Sequence, residues 1–259
     1  MTGTCPSHGF FTIAGKTVAI VRRTARCCVA GSAAGERPAG VRVAKSAQFA
    51  FNGIVDIKVK ICGITSVEDA AAAVQAGADA VGLMFCPASP RRISLEMAQT
   101  IERSLPDFVI RVGVFADPAP EDVFCALRQC GLSLLQFHGH ETPEFCRQFG
   151  VMTMKAFRIR DAQTLREIPN YTTDAFLLDS YTPGLAGGTG ETFNWELAAE
   201  ARRFGKPIFL AGGLTPENVA GAVRKVRPFG VDVSTGVEQS PGKKDAAKMR
   251  AFIAAARSA

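Results

Sequence analysis

The sequence predicts a single α/β domain, a (β/α)8 TIM barrel over residues 56–259, behind a poorly structured N-terminal extension, residues 1–55. Three observations predict it. Eight short apolar runs recur from Asp56 onward, helix-like segments with start signals lie between them, and the repeat length suits a minimal strand–helix unit. The 204 residues that remain when 55 are taken from 259 leave roughly 25 per unit, and eight parallel strands close a barrel.

The apolar runs occupy residues 57–62, 80–85, 109–115, 134–138, 152–157, 175–179, 207–211 and 230–233. Their hydrophobicity is continuous rather than alternating, so both faces of each strand are buried, as in a parallel sheet. Thr65-Ser66 before Val67-Glu68-Asp69 announces the first helix, Thr142-Pro143-Glu144 the fourth and Thr215-Pro216-Glu217 the seventh. Each places a capping side chain ahead of proline or acids in the first turn. Residues 194–204 and 245–256 read as the sixth and eighth helices. An open doubly wound sheet would share the alternation, but no G-x-G-x-x-G follows the first strand.

The net charge of +6 is unevenly placed. Residues 1–55 hold seven Lys and Arg against Glu36 alone, while residues 56–259 hold twenty-three of each sign. The barrel itself is neutral, which argues against a nucleic-acid-binding surface. No run approaches the ~18 apolar residues of a membrane span. The eight cysteines include one adjacent pair, Cys27-Cys28, and no CxxC, so reduced thiols are expected rather than disulfides or a metal set.

The extension has no sustained helical or strand period. Two readings fit it: translation that begins near Val55 at a non-Met codon, and an organellar transit peptide, Arg- and Ser-rich and poor in acid. The first is favoured, with a cytoplasmic protein as its consequence. The next Met after Met1 is Met84, and a start there would remove the first strand.

Reactive groups of such barrels sit where strands end. The first strand ends in Cys62-Gly63, the second runs into Ser89-Pro90-Arg91-Arg92, the fourth ends Gln136-Phe137-His138-Gly139 and the sixth ends Leu178-Asp179. Ala211-Gly212-Gly213-Leu214 and Val233-Ser234-Thr235-Gly236 follow the last two strands. Glycines there let backbone approach a ligand, and a helix opened by Thr215-Pro216 would favour an anion, so this pair of loops is the expected phosphate site. The stretch Tyr181-Thr182-Pro183-Gly184-Leu185-Ala186-Gly187-Gly188-Thr189-Gly190 is too glycine-rich for a plain connector and reads as a mobile lid, with Gly187, Gly188 and Gly190 as its flexible points.

Taken together these motifs resemble the phosphoribosylanthranilate isomerase family over about residues 57–253. They are Val59-Lys60-Ile61-Cys62-Gly63-Ile64-Thr65, Ser89-Pro90-Arg91-Arg92-Ile93-Ser94, Leu135-Gln136-Phe137-His138-Gly139, Ala211-Gly212-Gly213-Leu214-Thr215-Pro216-Glu217-Asn218 and Val231-Asp232-Val233-Ser234-Thr235-Gly236-Val237-Glu238. Phe137 and Ala211 stand where relatives often carry Leu and Ser; residues 1–55 have no counterpart.

The resemblance implies an Amadori rearrangement of N-(5-phosphoribosyl)anthranilate in tryptophan biosynthesis, with no cofactor and no metal. It implies Cys62 as general base, Asp179 as general acid and Arg91 as the partner of the substrate carboxylate, for which a planar guanidinium is suited. The phosphoribosyl substrate is the expected small-molecule partner, bound further by His138, Gly212, Gly213, Ser234, Thr235 and Gly236, on a monomer or homodimer. An unperturbed thiol ionises near pH 8.5, so the barrel mouth must assist Cys62 or desolvation must sharpen it. Asp179 must instead hold a proton that a free carboxyl loses near pH 3.9. His138 could equally line the site or bond at a strand end. Arg92 is expected to point away, and His140 to lie at the surface. Two readings compete: another phosphosugar isomerase of this fold with two catalytic aspartates, and a silent barrel that only binds a phosphorylated ligand.

Overall fold

The computed structural model describes residues 56–179 and 195–259, together with the backbone of residues 10–13 and 16–19. The chain divides into two units, Met1–Ala50 and Phe51–Ala259. In the first, Phe10–Ile13 pairs antiparallel with Lys16–Ala19, Phe10 opposite Ala19. The sequence reading found no strand period here. Two four-residue runs two residues apart make a hairpin too short for a periodicity window to register.

Among the described residues of the second unit, a short antiparallel pair, Glu238–Ser240 with Lys243–Lys244, follows the last strand of a barrel in which eight strands alternate with eight helices. They are β1 (Lys58–Cys62), α1 (Val67–Ala76), β2 (Ala80–Met84), α2 (Leu95–Ser104), β3 (Ile110–Phe115), α3 (Pro120–Gln129), β4 (Leu134–Phe137), α4 (Pro143–Cys146), β5 (Met152–Arg158), α5 (Thr164–Glu167), β6 (Ala175–Asp179), α6 (Trp195–Glu200), β7 (Ile208–Ala211), α7 (Val219–Val226), β8 (Gly230–Val233) and α8 (Ala246–Arg257). Every barrel strand pairs parallel with its successor, and β8 returns to β1 to close the barrel. The fold is the one the sequence predicts.

Most helix starts follow the local chemistry of the sequence. Ser66 accepts from the Asp69 amide ahead of α1, Thr142 from the Phe145 amide ahead of α4, and Asp245 from the Ala247 and Lys248 amides ahead of α8. Gly77 closes α1 at φ 97°, a conformation a side chain would strain. The seventh helix departs from expectation. It begins at Val219, because Thr215-Pro216-Glu217 is taken up in a turn: the Thr215 amide donates to Asn218 Oδ1 at 2.8 Å, and Asn218 Nδ2 donates to the Gly213 carbonyl at 2.9 Å. The sixth stops short as well, α6 giving way to a 3-10 turn, Ala201–Phe204.

Alternation along the strands builds two cores. Val59, Ile61, Leu83, Phe176 and Leu210 point outward into one continuous layer with helix residues such as Ala70, Ile101, Val219 and Phe252. The inward positions form separate apolar groups, Met154, Ala156, Leu177 and Ala211 on one side and Cys62, Val112 and Val114 on the other. The outer layer is what holds the wall, at about 1.5–3 kcal/mol per fully buried large side chain, so the interior can carry polar groups. It carries Lys60 and Gln136, each 1% exposed, and Asp232, 7% exposed.

A charge in that interior survives only if paired. The β8–β1 register sets Asp232 beside Lys60, and Lys60 Nζ lies 2.8 Å from Asp232 Oδ1. Gly82 on the next strand makes the space. A Cβ there would stand 2.8 Å from Cys62 Sγ and 3.1 Å from Lys60 Nζ.

Candidate active site

The strand ends meet in a cleft of about 340 Å³. Cys62, Arg91, His138, Asp179, Gly212, Gly213, Ser234 and Thr235 all line it, so eight of the residues singled out in the sequence are brought to one place. Gly236 belongs to the loop just behind. A Cβ on it would run into the Leu214 carbonyl oxygen, with the carbonyl carbon at 3.0 Å and Thr215 Cα at 3.3 Å, so only glycine lets the loops after β7 and β8 touch. The lid residues Gly187, Gly188 and Gly190 lie outside the described residues. Arg92 is exposed, and His140 is at the surface with Asp117 at 3.2 Å.

Asp179 ends β6, where the strand's inward alternation carries its carboxylate to the mouth. His138 Nε2 is 2.9 Å from its Oδ2, and Gln136 Nε2 is 3.1 Å from His138 Nδ1. His138 thus lines the cleft and bonds at its strand end. Gln136 Oε1 is buried and has no hydrogen-bond partner among the described residues. The backbone under His138 is fixed by a buried pair, Lys155 and Glu141, 2.7 Å apart. Glu141 also accepts from the Gly139 and Asp117 amides, and Lys155 donates to the Gly139 carbonyl.

Cys62 is the last residue of β1 and is buried. Burial pushes its thiol up, the Lys60 ammonium pulls it down, Asp232 pushes it up again and Lys244 pulls it down, with burial prevailing. The thiol is the favoured resting form in this state of the cleft.

Arg91 is not an open guanidinium. Its Nε and Nη2 each donate to Glu238 at 2.7 Å, a bidentate pair that leaves the Nη1 protons outside it. Glu238 is held in turn by Lys244 Nζ at 2.9 Å and by the Gly242 amide at 3.3 Å. Burial works against the Glu238 carboxylate, but Arg91 and Lys244 outweigh it and hold its pKa below the ordinary value. Lys244 also donates to the Ser234 carbonyl at 3.2 Å, tying this network to the loop after β8.

The expected phosphate loops need one correction. With α7 starting at Val219, and the Asn218 and Val219 amides both donating to the Thr215 carbonyl, the anion-favouring turn does not begin at Thr215. The backbone at Gly212 and Gly213, both at positive φ, and at Ser234-Thr235 lines the cleft there.

Sequence reasoning passed over Lys60, Asp232, Gln136, Glu238, Lys244, Glu141 and Lys155. For four of them a signal existed: Lys60, Gln136, Lys155 and Asp232 are polar residues inside strand runs that are otherwise mostly apolar. Among the described residues no group of three or more His, Cys, Asp or Glu is placed to hold a metal ion, and the five cysteines there are unpaired.

A closed parallel barrel with a thiol, a histidine-bonded carboxylate and Arg91 in one cleft defines the class: a (β/α)8 barrel with a candidate active site at its strand ends. Comparison narrows the class. The family model for N-(5'-phosphoribosyl)anthranilate (PRA) isomerase matches residues 59–255. The N-(5'-phosphoribosyl)anthranilate isomerase of Trichlorobacter lovleyi is 55% identical over 203 residues, 78% of this chain and 99% of its own. The crystal structure of the phosphoribosyl anthranilate isomerase from Thermotoga maritima superposes with a TM-score of 0.74 at 44% identity, covering 78% of this chain and 100% of that one. Another such isomerase, solved in complex with reduced 1-(o-carboxyphenylamino)-1-deoxyribulose 5-phosphate, gives 0.71 at 41% identity over the same shares. The chain belongs to the phosphoribosylanthranilate isomerase family.

Proposed function

We propose that this chain converts N-(5'-phosphoribosyl)anthranilate into 1-(2-carboxyphenylamino)-1-deoxyribulose 5-phosphate, an Amadori rearrangement in L-tryptophan biosynthesis, with Cys62 as base and Asp179 as acid. The observation that carries the assignment of roles is the placement of Cys62 and Asp179 in one cleft with Arg91 and the two loops after β7 and β8. Asp179 protonates the ribose ring oxygen and the ring opens to a Schiff base. Cys62 then removes the proton from the adjacent carbon, and the enolamine tautomerises to the ketone. Arg91, kept in place by Glu238, offers its remaining N–H groups to the anthranilate carboxylate. Gly212, Gly213, Ser234, Thr235 and Gly236 receive the phosphate.

Asp179 must hold a proton before it can give one. When Gln136 Nε2 donates to His138 Nδ1, His138 Nε2 carries a hydrogen and supports the carboxylate. Rotation of the Gln136 amide would bring Oε1 to Nδ1, reverse the tautomer and let Nε2 accept from a protonated Asp179. The Oε1 atom, without a partner among the described residues, supports this reading.

The protein acts in the cytoplasm, as a monomer or homodimer; no helix among the described residues is long and apolar enough to cross a membrane. The test of function is the loss of fluorescence of freshly generated phosphoribosylanthranilate on adding purified protein, with Cys62→Ala in parallel. Rapid decay with the parent and none with the variant is expected. No decay with folded parent protein would leave a phosphate-binding barrel without this activity.

A further inference from the structure

Deep in the barrel, below the groups that meet substrate, lie Lys60 and Asp232. Neither is needed to hold the wall together, since the apolar layer outside the strands does that, and two buried ions are an expensive way to fill a space that Met and Leu would fill. Their position relative to Cys62 is specific. Lys60 is two residues before Cys62 on β1, so both side chains leave the strand on its inner face, and Gly82 opposite is small enough to admit the ammonium and the sulfur together. Lys60 Nζ bonds Asp232, and it lies beside Cys62 Sγ under Gly82: a Cβ there would stand 3.1 Å from the ammonium and 2.8 Å from the sulfur.

The surrounding charges add to this. The charged groups around Cys62 are Lys60 on its own strand, Asp232 on β8, Arg91 from the loop after β2, Lys244 from beyond β8, which brings Glu238 with it, and Asp179 lining the same cleft from β6.

We propose that Lys60 is a positioning residue for the reaction: its ammonium, tethered by Asp232, is the fixed counter-charge that allows Cys62 to exist as the thiolate base. This rests on the assignment of Cys62 as base. The two tethered groups act in opposite senses on the sulfur, the ammonium favouring its ionisation and the carboxylate opposing it, and that opposition makes the idea testable.

The experiment is the pH dependence of Cys62 alkylation by iodoacetamide in the full-length protein, followed peptide by peptide with the half-buried Cys86 and Cys125 as internal references and near-ultraviolet circular dichroism as the check on folding. It needs no turnover, so it is read separately from the fluorescence assay that tests the function. Lys60→Met should move the midpoint of the Cys62 profile to higher pH by at least one unit, which is about a tenfold loss of thiolate at neutral pH. Asp232→Asn should move it to lower pH. The paired variant Lys60→Met/Asp232→Asn, which leaves no unpaired charge, should lie above the parent. A purely structural role would move Lys60→Met and Asp232→Asn in the same direction or not at all, and either result overturns the proposal. Should Lys60→Met fail to fold, the direction of the Asp232→Asn shift decides alone: upward or unchanged, the proposal is wrong.

Discussion

Gly236→Ala offers a sharp test of the proposed phosphate site, because the geometry there leaves little room for relief. The added methyl would enter the van der Waals sphere of the Leu214 carbonyl oxygen, and the atoms behind it, the Leu214 carbonyl carbon at 3.0 Å and Thr215 Cα at 3.3 Å, are backbone rather than a flexible side-chain end. The loops after β7 and β8 must therefore part by about 1 Å, a displacement that costs roughly 100-fold where groups must be held in a reactive geometry. Overpacking of this kind costs about 1–3 kcal/mol of stability, or roughly 2–12 °C in Tm for a domain of this size. The assay is kcat/KM for the isomerisation, together with inhibition by inorganic phosphate. Expected are a loss of about two orders of magnitude in kcat/KM and weaker inhibition by phosphate. A folded variant with parental kcat/KM and parental phosphate inhibition would show that these loops do not hold the phosphate.

Cys62→Ala and Asp179→Asn should each abolish turnover and leave phosphate inhibition intact, whereas Arg91→Ala should mainly raise KM; near-parental kcat in Asp179→Asn would remove it from the mechanism. Lys155→Met strands the Glu141 carboxylate, since both partners are nearly unexposed and only backbone amides would remain to it; breaking such a pair costs about 3–5 kcal/mol, and an unchanged melting temperature would contradict that estimate. Glu238 is held below its ordinary pKa by Arg91 and Lys244, so its contribution is complete above the unfolded value near 4.5 and fades as pH falls below it. The parent should thus lose stability in acid more steeply than Glu238→Gln, and parallel curves of Tm against pH would refute the linkage.

The fold was legible because burial on both faces writes a continuous apolar run into every strand and the intervening helices announce their starts at Ser66, Thr142 and Asp245. The strand-end residues were legible for a topological reason: closing eight parallel strands puts all their C-terminal ends on one face, so Cys62, Arg91, His138 and Asp179 could be placed together without knowing any distance. The helix at Thr215 was misjudged because a proline after a capping residue has the same local signature whether the chain enters a helix or a turn, and the choice was made by Asn218 reaching back to Gly213.

What the sequence could not decide was which polar side chains pair. Arg91 and Glu238 are 147 positions apart, and Lys60 and Asp232 are 172 apart. Such pairs exist only because the barrel closes. Local pattern determines which residues form a strand and which face they share, whereas a charge inside a barrel is tolerated solely through a partner that distant chain supplies. The sequence therefore determined the fold and the candidate reactive groups, and tertiary structure decided the electrostatic setting in which those groups lie.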